Sequence, residues 1–242
     1  MKAAATFAQS REVALRKREF PGGRWMNGFS LVIFDCDGVL VDSEVVSCRC
    51  LVDTLARYGV KIGLDEVFDR FLGRSSSAVE EYFLAVTGAP LPVSFGAALY
   101  EDLSAAYERS LRLIPHVRSV LESVDTPYCL ASSSDPARVQ MTLGVTELDR
   151  YFGDRIYTAA MVANGKPAPD LFLLAAERMG ADAATTLVIE DSVNGVLAGK
   201  AAGMTVWGFV GGSHHAERDG ARLLADAGAD RVFDSMRDLL PA

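Results

Sequence analysis

Apolar and polar positions along this chain fall into two regimes. A short continuous apolar run, Leu31-Val32-Ile33-Phe34, comes first. Branched and aromatic residues in so short a run predict a buried strand. From Val45 the spacing turns helical. Val45–Tyr58, closed by Gly59, is followed by Leu64–Phe71, Ser75–Thr87 and Leu99–Leu111, with no strand-like alternation between them. Beyond Pro115 short strands and helices alternate. Helix Val117–Ser123 leads to strand Tyr128–Ala131, then to helix Asp135–Leu143, with Asp135 as cap and Pro136 in its first turn. Strand Ile156–Thr158 leads to helix Ala168–Met179, closed by Gly180. Strand Thr186–Ile189, helix Val193–Ala202, strand Thr205–Val210, helix Arg222–Ala227, strand Arg231–Phe233 and a last turn at Met236–Leu240 complete the series.

Strands alternating with helices imply a mostly parallel sheet covered on both faces. The predicted class is therefore α/β, a Rossmann-like parallel-sheet core with an inserted all-helical cap. Residues 29–43 plus 112–242 form the core and 44–111 the cap. Residues 1–28 are a basic extension, with Lys2, Arg11, Arg16, Lys17, Arg18 and Arg24 against Glu12 and Glu19. Pro21, Gly22 and Gly23 break any helix there, so a loose tail is expected, and Met26 offers an alternative start.

Composition sharpens this picture in a few places. The chain has 242 residues, half of them hydrophobic, which suits one large domain or two unequal ones. Its net charge of -8 argues against a nucleic-acid partner. No apolar stretch approaches the about eighteen residues of a membrane span, so no membrane partner is expected. Cys36, Cys48, Cys50 and Cys129 have no zinc-like spacing. They read as buried small side chains in a reducing, cytoplasmic setting. No pattern identifies an oligomer interface.

In a sheet of this kind polar ligands sit beyond the carboxyl ends of the strands. The ends of the predicted strands carry Asp35 and Asp37, then Ser132, Ser133 and Ser134, then Glu190, Asp191 and Ser192. Lys166 follows the Ile156–Thr158 strand at a short distance. Buried carboxylates are costly unless paired, and a hard cation such as Mg²⁺ offsets that cost. Hydroxyls, backbone amides and a lysine suit phosphate oxygens. The set therefore points to phosphate bound beside Mg²⁺.

These residues also carry a resemblance. Asp35-Cys36-Asp37-Gly38-Val39, Ser132, Lys166-Pro167-Ala168-Pro169-Asp170 and Glu190-Asp191-Ser192-Val193-Asn194-Gly195 occur in order. Over about residues 29 to 238 the chain resembles the haloacid dehalogenase superfamily, in its capped phosphatase and phosphomutase branch. The resemblance implies that Asp35 is the nucleophile of an aspartyl-phosphate mechanism and Asp37 its general acid and base. It implies that Mg²⁺ is held by the Asp35 side chain, the Asp37 backbone carbonyl and Asp191, with Glu190 contributing directly or through water. Ser132 and Ser133 would bind phosphoryl oxygens and Lys166 would offset charge. A raised pKa would suit Asp37 as an acid. Ser192 is expected to cap the next helix or support the ligands.

Substrate choice falls to the cap. In the loop Leu72-Gly73-Arg74-Ser75-Ser76, Arg74 is placed to meet a carboxylate or second phosphate of the substrate. Relatives of the beta-phosphoglucomutase type carry a histidine twelve residues after the nucleophile, where this chain has Ser47. That departure favours a phosphatase over a mutase. The cap segment is most similar to bacterial sugar-phosphate phosphatases, including those acting on 6-phosphogluconate. Phosphoglycolate phosphatase, a mutase and a non-catalytic phosphate-binding module are the alternatives. In every case the partner is a small phosphorylated metabolite. Glu44 is expected either in a hinge network or solvated at a helix start. His214 and His215, in GGSHH, are expected to be solvent-exposed and to form no metal cluster.

Overall fold

The computed structural model describes residues 28–74, 76–216 and 218–240. The basic extension expected over 1–28 lies outside the described residues, apart from Gly28. Six strands form one parallel sheet: β1 (Leu31–Phe34), β2 (Tyr128–Ser132), β3 (Ile156–Thr158), β4 (Thr186–Glu190), β5 (Thr205–Phe209) and β6 (Arg231–Phe233), in the order β3-β2-β1-β4-β5-β6. The order reverses between β1 and β4. At such a switch point the loops leave the two strands in opposite directions and open a crevice for ligand. Phe34 pairs with Leu130 on one side and Ile189 on the other, which brings the ends of β1, β2 and β4 together.

The helices cover both faces because successive strand residues point to opposite sides. Val32 and Phe34 join a core with Leu130, Ile189 and Phe209. That core is closed by α5 (Val117–Ser123), α6 (Pro136–Thr146) and α7 (Asp149–Phe152). Leu31 and Ile33 face the other way, onto α8 (Asp170–Met179), α9 (Val193–Ala201) and α10 (Gly220–Asp226). All four residues of β1 have no solvent exposure, which explains an apolar run without alternation.

Between β1 and α5 lies the helical cap: α1 (Glu44–Arg57), α2 (Leu64–Phe71), α3 (Ser77–Thr87) and α4 (Ser94–Ser110). It buries a core of its own from Leu51, Leu55, Val67, Val79, Phe83 and Phe95. Helix α4 begins five residues before the expected Leu99, because Phe95 extends the buried stripe of Leu103 and Tyr107 backwards. Packing there overrides the poor helix propensity of Gly96. Helix α8 begins at Asp170, not Ala168, since Pro169 stands as its cap residue. The two linkers to the cap are laced together. The Asp42 amide donates to the Arg112 carbonyl at 2.9 Å and Ile114 to Leu40 at 3.0 Å. Entry to and exit from the cap therefore move as one strap.

Candidate active site

The site is built where β1 and β4 end. Asp35 leaves β1 with its amide bonded to the Ile189 carbonyl at 3.0 Å, which fixes its carboxylate beside β4. Lys166 reaches in from the loop before α8. Its ammonium donates to Asp35 Oδ1 at 2.5 Å, to Glu190 Oε1 at 2.8 Å and to the Ala131 carbonyl at 3.1 Å. The Lys166 and Glu190 side chains are each 1% exposed. Burial opposes the lysine's charge, but Asp35 and Glu190 outweigh it and hold Lys166 above the usual range. The other oxygen of Glu190 accepts from the Ser192 amide at 2.7 Å and hydroxyl at 2.9 Å. Ser192 Oγ in turn accepts from the Gly195 amide, so this hydroxyl both caps α9 and ties down Glu190. Gly195 leaves room for that carboxylate, since a Cβ would stand 1.7 Å from Glu190 Oε1.

Asp37 lies on the other side of the strand end. Its side chain accepts from Ser43 Oγ at 2.5 Å, Ser134 Oγ at 2.7 Å and the Arg138 guanidinium at 3.1 Å. Burial alone would raise its pKa. The Arg138 charge and these hydrogen bonds prevail, and Asp37 is held below the usual carboxylate range. A raised value would have suited the acid role; the direction here is the opposite, and the free protein keeps Asp37 ionised. Arg138 also donates to Ser47 Oγ at 2.9 Å, and that hydroxyl shares a 2.8 Å hydrogen bond with Tyr107 of α4.

Asp191 follows β4 and is 2% exposed. Burial first, then the nearby Glu190 charge, pushes its carboxyl well above the ordinary range. Asp35 is raised likewise, burial outweighing the pull of Lys166. Asp191 Oδ2 is buried without a hydrogen-bond partner. Acidic groups raised by burial first, with an orphaned oxygen among them, carry more negative charge than Lys166 alone offsets. A hard divalent cation such as Mg²⁺ fits that donor set. His214 and His215 are the clearest departure from expectation. They are not solvent-exposed. His214 is 3% exposed, with Nε2 at 3.0 Å from Asp191 Oδ2, and His215 Nε2 lies 3.1 Å from the Asp191 carbonyl. Their donor atoms and that of Asp191 lie within 4.8 Å of one another. Burial pushes both imidazoles down, to about 4 and about 3.

The cap leans on this centre. Ser133 Oγ donates to the Gly73 carbonyl at 3.1 Å and Asn194 Nδ2 to the Leu72 carbonyl at 3.3 Å. Gly73 has φ of +69°, and a Cβ there would come within 2.4 Å of Ser192 Oγ, so the loop closes onto the core only as glycine. Arg74 is exposed and borders the mouth, its guanidinium donating to the Arg70 carbonyl at 3.5 Å. Ser132 is buried at the end of β2, and its hydroxyl accepts from the Ser134 amide at 3.0 Å. Glu44 is 8% exposed rather than solvated, and burial raises its pKa well above normal. Glu44, Arg74, Ser133, Ser134 and Arg138 all border a cavity of about 880 Å³ that extends into the cap. Its deeper wall is mostly apolar, with Leu51, Val79, Leu91, Phe95 and Leu103.

A family model described as haloacid dehalogenase-like hydrolase matches residues 29–203. The chain belongs to this family. Within it the chain falls in the phosphatase and phosphomutase branch. It is 28% identical over 191 residues to the 6-phosphogluconate phosphatase of Escherichia coli, covering 78% of this chain and 86% of that protein. It is 34% identical over 189 residues to a bifunctional riboflavin kinase/FMN phosphatase of Arabidopsis thaliana, covering 73% of this chain but 47% of the relative. Among solved structures, a HAD family hydrolase of Deinococcus radiodurans with bound phosphate and sodium superposes with a TM-score of 0.67 at 34% identity, covering 88% of this chain and 93% of that one.

In this haloacid dehalogenase-like hydrolase, the candidate residues Asp35, Asp37, Ser132, Ser133, Lys166, Glu190 and Asp191 all border or underlie one crevice. Arg74 stands at its rim. Sequence reasoning missed Arg138, Ser43 and Ser134 as partners of Asp37, and His214 as a neighbour of Asp191. For Ser134 the signal was present, as the third hydroxyl of the run Ser132-Ser133-Ser134 that closes β2. For Arg138 it was absent, since one arginine in an ordinary amphipathic helix looks solvated.

Proposed function

We propose that this hydrolase is a Mg²⁺-dependent phosphatase that cleaves small phosphate monoesters, sugar or sugar-acid phosphates first among them, through an aspartyl-phosphate on Asp35. The observation that carries the reading is the buried Lys166, shared between Asp35 and Glu190 beside the orphaned oxygen of Asp191. The Asp35 side chain, the Asp37 backbone carbonyl and Asp191 would hold the ion. Glu190, with both oxygens engaged by Lys166 and Ser192, would act through those groups. Bound there, Mg²⁺ supplies Lewis-acid charge to the transferring phosphoryl oxygens.

Burial raises Asp35, and Lys166 together with an ion bound beside it would restore its ionised form, whose free oxygen attacks phosphorus in line with the leaving oxygen. Lys166, Ser132 and Ser133 take up charge on the phosphoryl oxygens. The P–O bond to the alcohol breaks, and that oxygen takes a proton from Asp37. Since Asp37 is ionised in the free protein, this proton arrives with the phosphate monoanion as substrate binds. Asp37, again a carboxylate, then accepts a proton from water while the water oxygen attacks phosphorus. Asp35 is restored, and inorganic phosphate leaves with the proton that Asp37 took from water, so that Asp37 is ionised again. The lowered pKa of Asp37 favours the ionised form that this second, base-catalysed half needs.

Arg74 would meet a carboxylate on the substrate, in keeping with the sugar-acid relative. The cavity favours a second reading, a bulkier leaving group. Its about 880 Å³ lies in the range that usually holds drug-sized ligands, and its apolar wall offers little to sugar hydroxyls. A flavin or nucleoside phosphate fills such a space better. Phosphate release with Mg²⁺ over sugar acids, sugar phosphates, phosphoglycolate and flavin and nucleoside monophosphates tests both readings. Asp35→Asn, with its fold checked by circular dichroism, should be inactive. Normal turnover by that variant would remove Asp35 as nucleophile. No release of phosphate from any ester, an aryl phosphate included, would leave only a binding module. Conversion of beta-glucose 1-phosphate to glucose 6-phosphate as the dominant reaction would make it a mutase, despite Ser47.

A further inference from the structure

We infer that His214 Nε2 is a ligand of the same divalent ion that Asp191 holds, so that this chain has a mixed oxygen and nitrogen metal site that still takes Mg²⁺ but binds borderline ions such as Co²⁺ more tightly than an all-oxygen set would. The inference rests on the reading of Asp191 as a metal ligand. The His214 side chain has no solvent exposure, and neither of its nitrogens has a hydrogen-bond partner. A buried polar ring left wholly unpaired is costly and calls for a missing partner. Asp191 Oδ2, 3.0 Å from Nε2, is unpaired as well. Two donors at about 2.1 Å from one ion and at right angles to each other stand about 3.0 Å apart. The observed separation is that of neighbouring ligands, in a pair that does not make an aligned hydrogen bond.

The surroundings hold the ring in place. A Cβ on Gly38 would lie 1.8 Å from Asp191 Oδ2 and 3.0 Å from His214 Cε1, and one on Gly212 would lie 2.8 Å from the same carbon. Two bare glycines thus grip the imidazole against the carboxylate. Ser213 fixes the turn from outside, its amide and hydroxyl both donating to Asp42 Oδ1, at 2.9 and 2.8 Å. The same Asp42 sits on the strap to the cap. His215 has a different task. Its Nε2 is engaged by the Asp191 carbonyl and its Nδ1 faces Gly220, where a Cβ would come within 2.1 Å. It positions the Asp191 backbone through Nε2, while its buried Nδ1 is unpaired and packed against Gly220. Imidazole nitrogen is a poor ligand for Mg²⁺ and a good one for later transition ions, so a single histidine in the set changes the preference.

The test is spectroscopic. Mn²⁺-loaded full-length protein, studied by electron spin-echo envelope modulation, should show the coupling of one directly bonded ¹⁴N. Labelling the wild type with ¹⁵N-histidine should replace that coupling with the ¹⁵N pattern. The coupling should vanish in His214→Gln and persist in His215→Gln. By calorimetry the preference for Co²⁺ over Mg²⁺ should fall by roughly tenfold or more in His214→Gln. Wild type that binds Mn²⁺ without a bonded nitrogen overturns the inference, and needs no variant to do so. Asp191→Asn separates the two levels. If it binds Mn²⁺ as tightly as wild type, the reading of the site itself fails. If it loses Mn²⁺ while wild type shows no bonded nitrogen, only the role of His214 fails.

Discussion

Replacing Arg138 by methionine removes the charge that faces Asp37 and keeps most of the side-chain volume. The Arg138 side chain is 21% exposed and Asp37 9%, with 3.1 Å between them. Removing one partner of so buried a pair costs about 3–5 kcal/mol. Asp37 keeps the hydroxyls of Ser43 and Ser134, which places the loss at the lower end, about 3 kcal/mol. In a chain of this size each kcal/mol lowers the melting temperature by about 2–4 °C, so a fall of about 6–12 °C is expected at pH 7. The pH dependence gives the sharper check. Asp37 has a lowered folded pKa. Its contribution is therefore present above its unfolded value of about 3.9 and is lost as pH falls through the folded value. The gap between wild type and Arg138→Met should be full at pH 7 and narrow as pH falls towards 3, closing only below the lowered folded value.

Thermal unfolding across that range reads the gap directly. An equal gap at both ends would assign the loss to packing and refute the charge argument. No gap at pH 7 would refute the pairing altogether. Activity gives an independent sign. Without the guanidinium, burial is less opposed and the pKa of Asp37 rises. The acid limb of the dephosphorylation step, measured on preformed phosphoenzyme, should move to higher pH, and Arg138→Lys should restore part of the shift.

Lys166→Met should lower kcat by about 10²–10³, as expected for loss of a buried charge aimed at the reacting centre, in a phosphate-release assay at saturating Mg²⁺. It leaves Asp35 and Glu190 facing each other, so Lys166→Met combined with Glu190→Gln should regain stability but not activity. Gly195→Ala drives a methyl against Glu190, which Lys166 and Ser192 hold in place. A loss of about 1–3 kcal/mol by denaturant titration is expected. Arg74→Ala should leave the melting temperature unchanged, because the side chain is exposed. It should raise KM for carboxylate-bearing phosphate esters and spare neutral ones, and equal effects on both would remove Arg74 from recognition.

The core was readable because its strands are short and largely apolar, and the three that carry the site, β1, β2 and β4, end in or run straight into polar groups. Asp35, Ser132 and Glu190 sit where a parallel sheet must present its chemistry. The partners of those residues were harder to read, since they come from far along the chain. Arg138 meets Asp37 across 101 residues and Ser47 across 91. Nothing in the local pattern of α6 marks it, and its burial arises only when α4 and α1 of the cap pack over it. His214 is similar. A histidine in a glycine-rich loop looks solvated until the Asp42 contact folds that loop beneath the first strand's turn.

That dependence on distant packing has a consequence for how the cap and the chemistry are joined. The groups that set the acidity of Asp37 come from three places. Ser43 is on the strap into the cap, Ser134 follows β2, and Arg138 lies on α6, where it is braced by Ser47 and Tyr107 of the cap. A rotation of the cap about its strap stretches the Ser43 and Ser47 contacts and leaves the Ser134 contact intact. Each lost donor weakens the hold on the ionised carboxylate, so opening raises the pKa of Asp37 and closure lowers it. The closed cap therefore does more than exclude bulk water. In the proposed mechanism, closure would return Asp37 to the ionised form that a base needs when water attacks the aspartyl-phosphate.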